Sequence, residues 1–138
     1  MMNEETYVIK VLLKRGVWRR FQLSSRHTLH DLHKVIQKAY EFDDDHLYAF
    51  FMEGTPWKGS AYWSPHNDEG PFANKIKLGS LDLVAKQKFL YLFDFGDEWR
   101  FLVQIEKIIN DGTRIIKPII LESCGKSPEQ YWGADEYC

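Results

Sequence analysis

Thr28-Leu-His-Asp-Leu-His-Lys-Val-Ile-Gln-Lys-Ala-Tyr-Glu41 is the stretch that decides the fold. Apolar residues recur along it at the spacing of one helix face, which predicts an amphipathic helix: Leu29, Leu32, Ile36 and Ala39/Tyr40. Thr28 and Asp31 have the spacing of a capping box, in which each side chain accepts a bond from the other's backbone N–H. Because three consecutive aspartates at 43–45 oppose the negative end of a helix dipole, we predict that the helix ends near Glu41.

Two strands precede this helix. The segment 6–14 is rich in β-forming residues, and Arg15-Gly16-Val17 reads as a tight connection. The segment 18–24 then alternates with period two, with one face holding Trp18, Arg20, Gln22 and Ser24 and the other Arg19, Phe21 and Leu23. Such alternation is typical of a half-buried strand, so the two segments predict a β-hairpin.

Further strands are predicted after the helix. The segment 46–52 is a third strand, and 88–94 and 98–106 carry the strongest strand patterns. Gly96 in the turn between the last two is expected to take a positive φ. A short strand is predicted at 75–78 and a turn or short helix at 80–83. The segment 114–121 is extended, and Pro118 places it at a sheet edge.

Together these elements predict an α+β fold in one domain, 1–138, with a mixed or antiparallel sheet and one main helix packed on it. The hairpin–helix–strand order at the start is β-grasp-like. Two stretches are predicted to be irregular: 53–74 is a long loop of the kind that tends to be functional or mobile, and 123–138 is a turn-rich tail.

The formal net charge of −2 gives no global attraction to nucleic acid or membrane. Residues 1–40 hold eight Lys/Arg against three Asp/Glu, a net of +5, whereas the remainder carries −7. The basic start indicates either an anionic partner or complementary faces within one domain. Two cysteines fourteen apart and the lack of a signal-like apolar run predict a cytoplasmic protein, and no cofactor is required by the sequence.

Three stretches, in this order and spacing, resemble the plasmid pRi open-reading-frame-three-like family: Trp18-Arg-Arg20, 28–33 leading to 42–47, and 91–99. Its members are bacterial and archaeal, often on plasmids or near mobile elements, and are also described as insertion-element passenger proteins. The resemblance implies no established activity. Many members have a Cys-Pro-Pro-Glu-Asp-Cys-Gly-Gly-type tail, which Cys124, Pro128, Glu129 and Gly133 match here. Tyr131 stands where the second cysteine would be, so a two-thiol site there does not carry over.

Acidic turns are one candidate site. Asp43, Asp44, Asp45 and His46 offer oxygen and nitrogen ligands in consecutive positions, and hard divalent cations favour carboxylate oxygens. Consecutive residues rarely all point inward, so a metal would need help from Asp94, Asp97 or His66. The alternative is that these aspartates bond local N–H groups in turns. His30 and His33, three apart on the helix, are expected to lie on a solvated face, with a zinc site as the alternative.

Aromatic and basic residues give the other candidates. Trp18 with Arg15, Arg19, Arg20 and Arg26 forms a basic hairpin of the type that binds single-stranded nucleic acid, or else a core Trp whose arginines pair with the acidic half. Trp57, Tyr62 and Trp63 line either a partner surface or a loop packed back on the domain. The leading hypothesis is a non-enzymatic interaction module that binds protein or nucleic acid. The alternative is a metal-dependent enzyme, possibly a hydrolase, that uses the acidic turns with His46.

Overall fold

The computed structural model describes residues 4–130, which form one helix, seven strands and two short 3₁₀ turns. The strands and the helix are β1 (Thr6–Lys14), β2 (Val17–Ser24), α1 (Leu29–Tyr40), β3 (Tyr48–Phe51), β4 (Ala61–Trp63), β5 (Lys88–Phe93), β6 (Trp99–Ile109) and β7 (Ile119–Cys124). The 3₁₀ turns span Ala73–Lys75 and Leu78–Leu81.

The strands form one sheet in the order β4-β3-β5-β6-β1-β2-β7, and all six strand pairings within residues 4–130 are antiparallel. The predicted α+β fold with an antiparallel sheet and one main helix is therefore confirmed. The β-grasp-like part is not confirmed. The strand that follows the helix, β3, does not join the hairpin, because β5 and β6 lie between it and β1.

Capping sets both ends of α1. The Thr28 side chain accepts from the Asp31 N–H at 3.1 Å, and the Asp31 carboxylate accepts from the Thr28 N–H at 2.9 Å, so the predicted capping box is present. The free N–H of Leu29 donates to the Ile76 carbonyl at 3.0 Å. At the other end Glu41 adopts the left-handed conformation, φ 57°, that closes a helix.

The apolar face of α1 covers one face of the sheet. Leu29, Leu32 and Ile36 have no exposed surface. They join a cluster with the inward residues of β1, β2, β5 and β6, among them Ile9, Phe21, Tyr91, Phe101 and Val103. The Tyr40 ring lies edge-on to Phe101 at 5.0 Å, and its hydroxyl donates to the Val11 carbonyl at 2.9 Å. This is the packing that the helix periodicity predicts.

The sheet face away from α1 has two halves of different character. At the β3–β5 end it is apolar, with a second buried cluster of Ala49, Phe51, Leu90 and Leu92. At the β1–β2–β7 end it is polar, with Arg20 paired to Glu106 and Glu122. The apolar half needs a cover, and the segment that follows β3 supplies one.

Several local predictions differ from the structure. The irregular stretch 53–74 contains β4, which pairs with β3. The strand predicted at 75–78 is replaced by the two 3₁₀ turns, whose backbone bonds to the loop before α1. In the β5–β6 turn the positive φ falls on Asp94 and Glu98 rather than on Gly96. The edge position that Pro118 predicts is confirmed, because β7 ends the sheet.

Leu32 gives a direct test of the helix–sheet packing. Leu32→Ala removes a side chain with no exposed surface and should lower the free energy of unfolding by about 2–5 kcal/mol. Urea denaturation followed by circular dichroism measures this. Val84→Ala, at a side chain that is 60% exposed, is the control and should stay within about 0.5 kcal/mol of wild type. A loss below about 1 kcal/mol in Leu32→Ala would contradict the assigned packing.

Candidate functional site

Four aromatic rings pack together on the apolar half of the sheet, and we call them the aromatic platform: Phe51, which belongs to the buried cluster, with Trp57, Trp63 and Phe95 packed over it. Trp57 stacks on Trp63 with ring centroids 6.1 Å apart. Its edge contacts Phe95 at 5.0 Å and Phe51 at 5.4 Å. Two of the site residues predicted from sequence, Trp57 and Trp63, therefore belong to one cluster.

Each ring is positioned by local structure. Phe51 ends β3, and Trp63 lies on β4 opposite Ala49. Phe95 follows β5, where the Asp94 carboxylate accepts from the backbone N–H groups of Gly96 and Asp97 at 3.0 and 3.2 Å. These are the local bonds that fix a turn.

Trp57 sits in a closed loop. The Glu53 carboxylate accepts from the Ser60 N–H at 2.8 Å, and the Met52 N–H donates to the Ser60 carbonyl at 2.9 Å. These bonds draw the two ends of the loop together. The Trp57 indole is thereby held at its tip, above the other three rings.

Trp57 combines two unfavourable features. Its backbone is left-handed, φ 65°, which costs about 1–3 kcal/mol for a non-glycine residue. Its side chain remains 49% exposed although indole is largely apolar. The loop is packed back on the domain, as one sequence interpretation had it, yet it leaves half of this ring in water. A strained backbone that presents a large apolar ring marks a candidate contact surface.

The basic hairpin is not one patch. Arg19 and Arg20 are neighbours on a strand, so they project to opposite sides of the sheet. Arg19 is 4% exposed and lies over the Tyr40 ring at 4.6 Å. It also donates to the Cys124 carbonyl and the Ser127 hydroxyl at 2.8 Å.

Arg20 lies on the helix-free side, with its Nε 2.6 Å from Glu106 and one Nη 2.5 Å from Glu122. These two carboxylates raise the pKa of the Arg20 guanidinium above its usual value. They also neutralise its charge locally, which favours the interpretation in which the arginines pair with the acidic half.

Trp18 and Arg26 are also engaged. Trp18 is half-buried on the helix-free face, with the Lys10 ammonium and the Arg20 guanidinium each 4.8 Å from its ring centroid. It is therefore a surface aromatic that packs on cations rather than a core residue. Arg26 pairs with Glu4 at 2.7 Å and donates to the Ile115 carbonyl at 2.9 Å. Arg15 is exposed at the hairpin turn.

The acidic turns are partly brought together. The His46 Nε2 lies 3.4 Å from an Asp94 carboxylate oxygen and 3.6 Å from Asp45. Asp44 instead contacts His33, and Asp97 contributes its backbone N–H to the Asp94 turn. Within residues 4–130 no three His, Cys, Asp or Glu side chains are grouped so as to hold a metal ion. The metal site at Asp44, His46, Asp94 and Asp97 stays a prediction.

The sequence missed a buried polar chain beneath α1. The Gln37 amide donates to the Tyr91 hydroxyl at 3.0 Å, and that hydroxyl lies 2.6 Å from the His33 Nδ1. The His33 Nε2 lies 2.9 Å from the Asp44 carboxylate. Since an ionised carboxylate only accepts, Nε2 carries the proton and Nδ1 accepts from Tyr91. The expectation of a solvated face is wrong for His33, which has no exposed surface, and Gln37 beside it is only 4% exposed.

A signal for this chain is present in the sequence. Tyr91 lies on the core face of a strand that the pattern predicts as buried, and a buried hydroxyl requires a partner. His33 and Gln37 are four apart on the helix and flank its apolar stripe, so they share one face. Which of the two reaches the hydroxyl depends on the helix–strand geometry, and the structure shows that both do.

His33 and its helix neighbour His30 line a pocket of about 520 Å³ between α1, the 43–47 turn and residues 64–66. The His30 Nδ1 lies 2.6 Å from the Tyr48 hydroxyl, and the Tyr48 ring stacks on His33 at 3.8 Å. Ser64 lines the pocket too, and its hydroxyl is buried with no hydrogen-bond partner within residues 4–130.

Burial controls ionisation in this pocket. Desolvation lowers the pKa of His33 below 6.5, an effect that the bond to Asp44 only partly opposes. Desolvation and the nearby His33 lower the pKa of His30 as well. The bond from His33 lowers the pKa of Asp44, and burial raises the pKa of the Tyr91 hydroxyl. At neutral pH His30 and His33 are therefore neutral and Asp44 is ionised.

Within residues 4–130 the chain is a seven-stranded antiparallel α+β protein, with a helix on one face of the sheet and the aromatic platform, which exposes half of Trp57, on the other. Residues 5–137 match the family model described as plasmid pRiA4b ORF-3-like protein. The chain belongs to this family, as the sequence motifs indicate. The tail position Tyr131, where many family members have a cysteine, lies outside the described residues.

Two relatives are themselves without an assigned function. The chain is 31% identical over 129 residues to the uncharacterized protein y4hQ of Sinorhizobium fredii, a match that covers 88% of this chain and 64% of that protein. It is also similar to the crystal structure of MM3350, a protein of unknown function from Methanosarcina mazei Go1, with a TM-score of 0.70 and 32% identity. That match covers 88% of this chain and 71% of the other. No helix among residues 4–130 is long and apolar enough to cross a membrane.

The buried histidine predicts an acid-sensitive fold. The pKa of His33 is lowered in the folded state. Below about pH 6.5 this ring therefore binds a proton in the unfolded chain but stays unprotonated in the folded chain. The free energy of unfolding should therefore fall between pH 7.5 and 5.5, by up to about 1.4 kcal/mol per such histidine. Asp44 acts below this window, since its pKa is lowered from 3.8.

Urea denaturation at pH 7.5 and 5.5 checks this. His33→Gln removes the titrating ring and keeps a donor for Asp44, so it should reduce the pH dependence. His66→Gln, at an exposed residue of the same pocket, is the matched control and should keep the wild-type dependence. An unchanged pH dependence in His33→Gln would contradict the assignment of the acid sensitivity to this ring.

Proposed function

We propose that this protein is a non-enzymatic interaction module that docks a protein partner on the aromatic platform. One observation carries the proposal: Trp57 is 49% exposed on a left-handed backbone, above three further aromatic rings. Tryptophan is enriched among the residues that dominate binding energy at protein interfaces. A ring already fixed by stacking loses little conformational freedom when a partner covers it.

The surroundings of Trp57 suit such a contact. Polar and exposed residues flank it in the loop, including Glu53, Lys58 and Ser60. An apolar centre with a polar rim is the usual anatomy of a protein interface. The rings beneath belong to β3, β4 and the β5–β6 turn, so the anchor rests on the sheet rather than on a free loop.

Nucleic acid as the partner has less support. That hypothesis relies on the basic hairpin, and there Arg19 is buried while Arg20 and Arg26 are paired with carboxylates. Phosphate binding needs cations that are free to release counterions. The acidic turns bring His46 near Asp45 and Asp94 but group no three metal-ligating side chains within residues 4–130, so the metal-dependent hydrolase stays a prediction from the acidic turns.

We also propose the cytoplasm as the compartment. Cys124, one of the two cysteines of the sequence, is a free, half-buried thiol, and an unpaired thiol suits a reducing environment. Its Sγ lies 3.6 Å from the Gly16 carbonyl, which is a packing contact and no sign of redox chemistry.

The experiment places a photo-crosslinking amino acid at position 58, next to the intact Trp57, in cells of the native host, with position 84 as the control. Both positions are exposed, but only position 58 adjoins the platform. A protein cross-linked from 58 and not from 84 is then purified, and its affinity is measured by calorimetry. Trp57→Ala should weaken binding at least about 30-fold, equivalent to about 2 kcal/mol, whereas Val84→Ala should leave it unchanged.

Two results would overturn the proposal. One is a purified partner that binds Trp57→Ala as tightly as wild type, with circular dichroism showing both chains folded. The other is a nucleic-acid partner, recognised by affinity that falls with salt at a log–log slope of about −0.7 per phosphate contacted on a single strand.

A further inference from the structure

β7 is an edge strand with an unusually apolar surface. Within residues 4–130 it has a neighbour on one side only, β2, so its outer row of backbone N–H and C=O groups faces no other strand. Ile119, Ile120 and Leu121 are consecutive and each about 40% exposed. Edge strands usually carry charges that discourage pairing. The nearest charge here, Glu122, is held by Arg20.

A groove of about 790 Å³ runs between this strand and the helix, and we call it the α1–β7 groove. Val35, Ile116, Pro118 and Ile120 form its apolar lining. Ile120 lies opposite Phe21, a core residue, so its side chain is on the helix side of the sheet. Ile116 is 71% exposed.

The wall of the groove is fixed in place. The His27 Nδ1 accepts from the Ser24 N–H at 2.9 Å, so its Nε2 carries the proton and donates to the Ile116 carbonyl, also at 2.9 Å. Arg26 donates to the neighbouring Ile115 carbonyl at 2.9 Å. The segment that leads into β7 is thereby tied to the loop before α1. A preformed groove loses less freedom on binding than a mobile one.

The rim of the groove is positive. Lys34 and Lys38 on α1 and Lys117 before β7 line it, and all three are exposed. The ion pairs found within residues 4–130 include none of them. The one carboxylate in the lining, Asp31, already accepts the Thr28 N–H as part of the helix cap. The groove therefore presents three cations against one engaged anion.

We propose that the α1–β7 groove binds an extended, acidic peptide segment of a partner protein, which adds to β7 as an eighth strand. The free strand edge supplies backbone hydrogen bonds, the isoleucines accept alternate apolar side chains, and the lysines pair with carboxylates on the segment. A nucleic acid would use the lysines but not the strand edge or the apolar lining. This surface is separate from the aromatic platform, which lies at the β4–β3–β5 end on the opposite face.

The probe is a fluorescein-labelled decapeptide of alternating valine and glutamate, and binding is followed by fluorescence polarisation. Wild-type chain should bind it at least 10-fold more tightly than the valine–lysine peptide of the same length. N-methylation of alternate backbone nitrogens should abolish binding in one of the two registers, because it removes strand-edge hydrogen bonds. If N-methylation weakens binding in neither register, the peptide does not add to β7 as a strand, and the inference is overturned.

The double variant Lys34→Glu/Lys38→Glu should lower the affinity for the valine–glutamate peptide at least 10-fold. Lys14→Glu/Lys107→Glu changes charge by the same amount at exposed lysines away from the groove, and should lower the affinity less than threefold. Trp57→Ala should leave the affinity unchanged, so failure here and failure of the aromatic platform are distinguishable.

Three outcomes would overturn the inference: equal losses in the two lysine double variants, binding of a single-stranded oligonucleotide in place of the peptide, or a chain that dimerises through β7. The last is checked by light scattering, with Ile120→Lys as the variant that should restore a monomer.

Discussion

Burial of the apolar stripe of α1 against one face of the antiparallel sheet is the constraint on which the rest of the structure depends. Leu29, Leu32 and Ile36 lose all their exposed surface there, and each such burial contributes about 1.5–3 kcal/mol. The capping box at Thr28 and the left-handed Glu41 fix the two ends of the helix, which packs on one face of the sheet and leaves the opposite face without a helix.

The two candidate interaction surfaces lie outside this helix–sheet core. At the β3–β4 end, the helix-free face of the sheet is apolar, and the loop around Trp57 covers it with a half-exposed ring. At the β7 end, the helix and the edge strand enclose a groove lined by isoleucines and rimmed by lysines. Between these two surfaces, the helix-free face of the sheet is polar, and Arg20 forms ion pairs there with Glu106 and Glu122.

A polar chain runs through the same helix–sheet contact. Gln37, Tyr91, His33 and Asp44 are hydrogen-bonded to one another in that order, and burial keeps the His33 ring neutral. Buried polar groups are tolerated when they are bonded in this way, and they favour one arrangement of the layers over others. The acidic turn at 43–45 thus contributes to the fold through the hydrogen bond between Asp44 and His33.

Features that depend on residues close together in the chain could be predicted from the sequence. The capping box, the helix stripe, the hairpin and the alternation that separates Arg19 from Arg20 all follow from residues within a few positions of one another, and so does the presence of Trp57 and Trp63 in one loop segment. Four other features could be established only from the tertiary structure. These are the strand order, the short β4, the burial of His33 and Gln37, and the pairing of Arg20 with Glu106 and Glu122. Apart from β4, which pairs with the nearby β3, these features depend on contacts between residues far apart in the chain, from 54 positions for Gln37 and Tyr91 to 102 for Arg20 and Glu122. Local periodicity carries no information about which strands become neighbours over such distances.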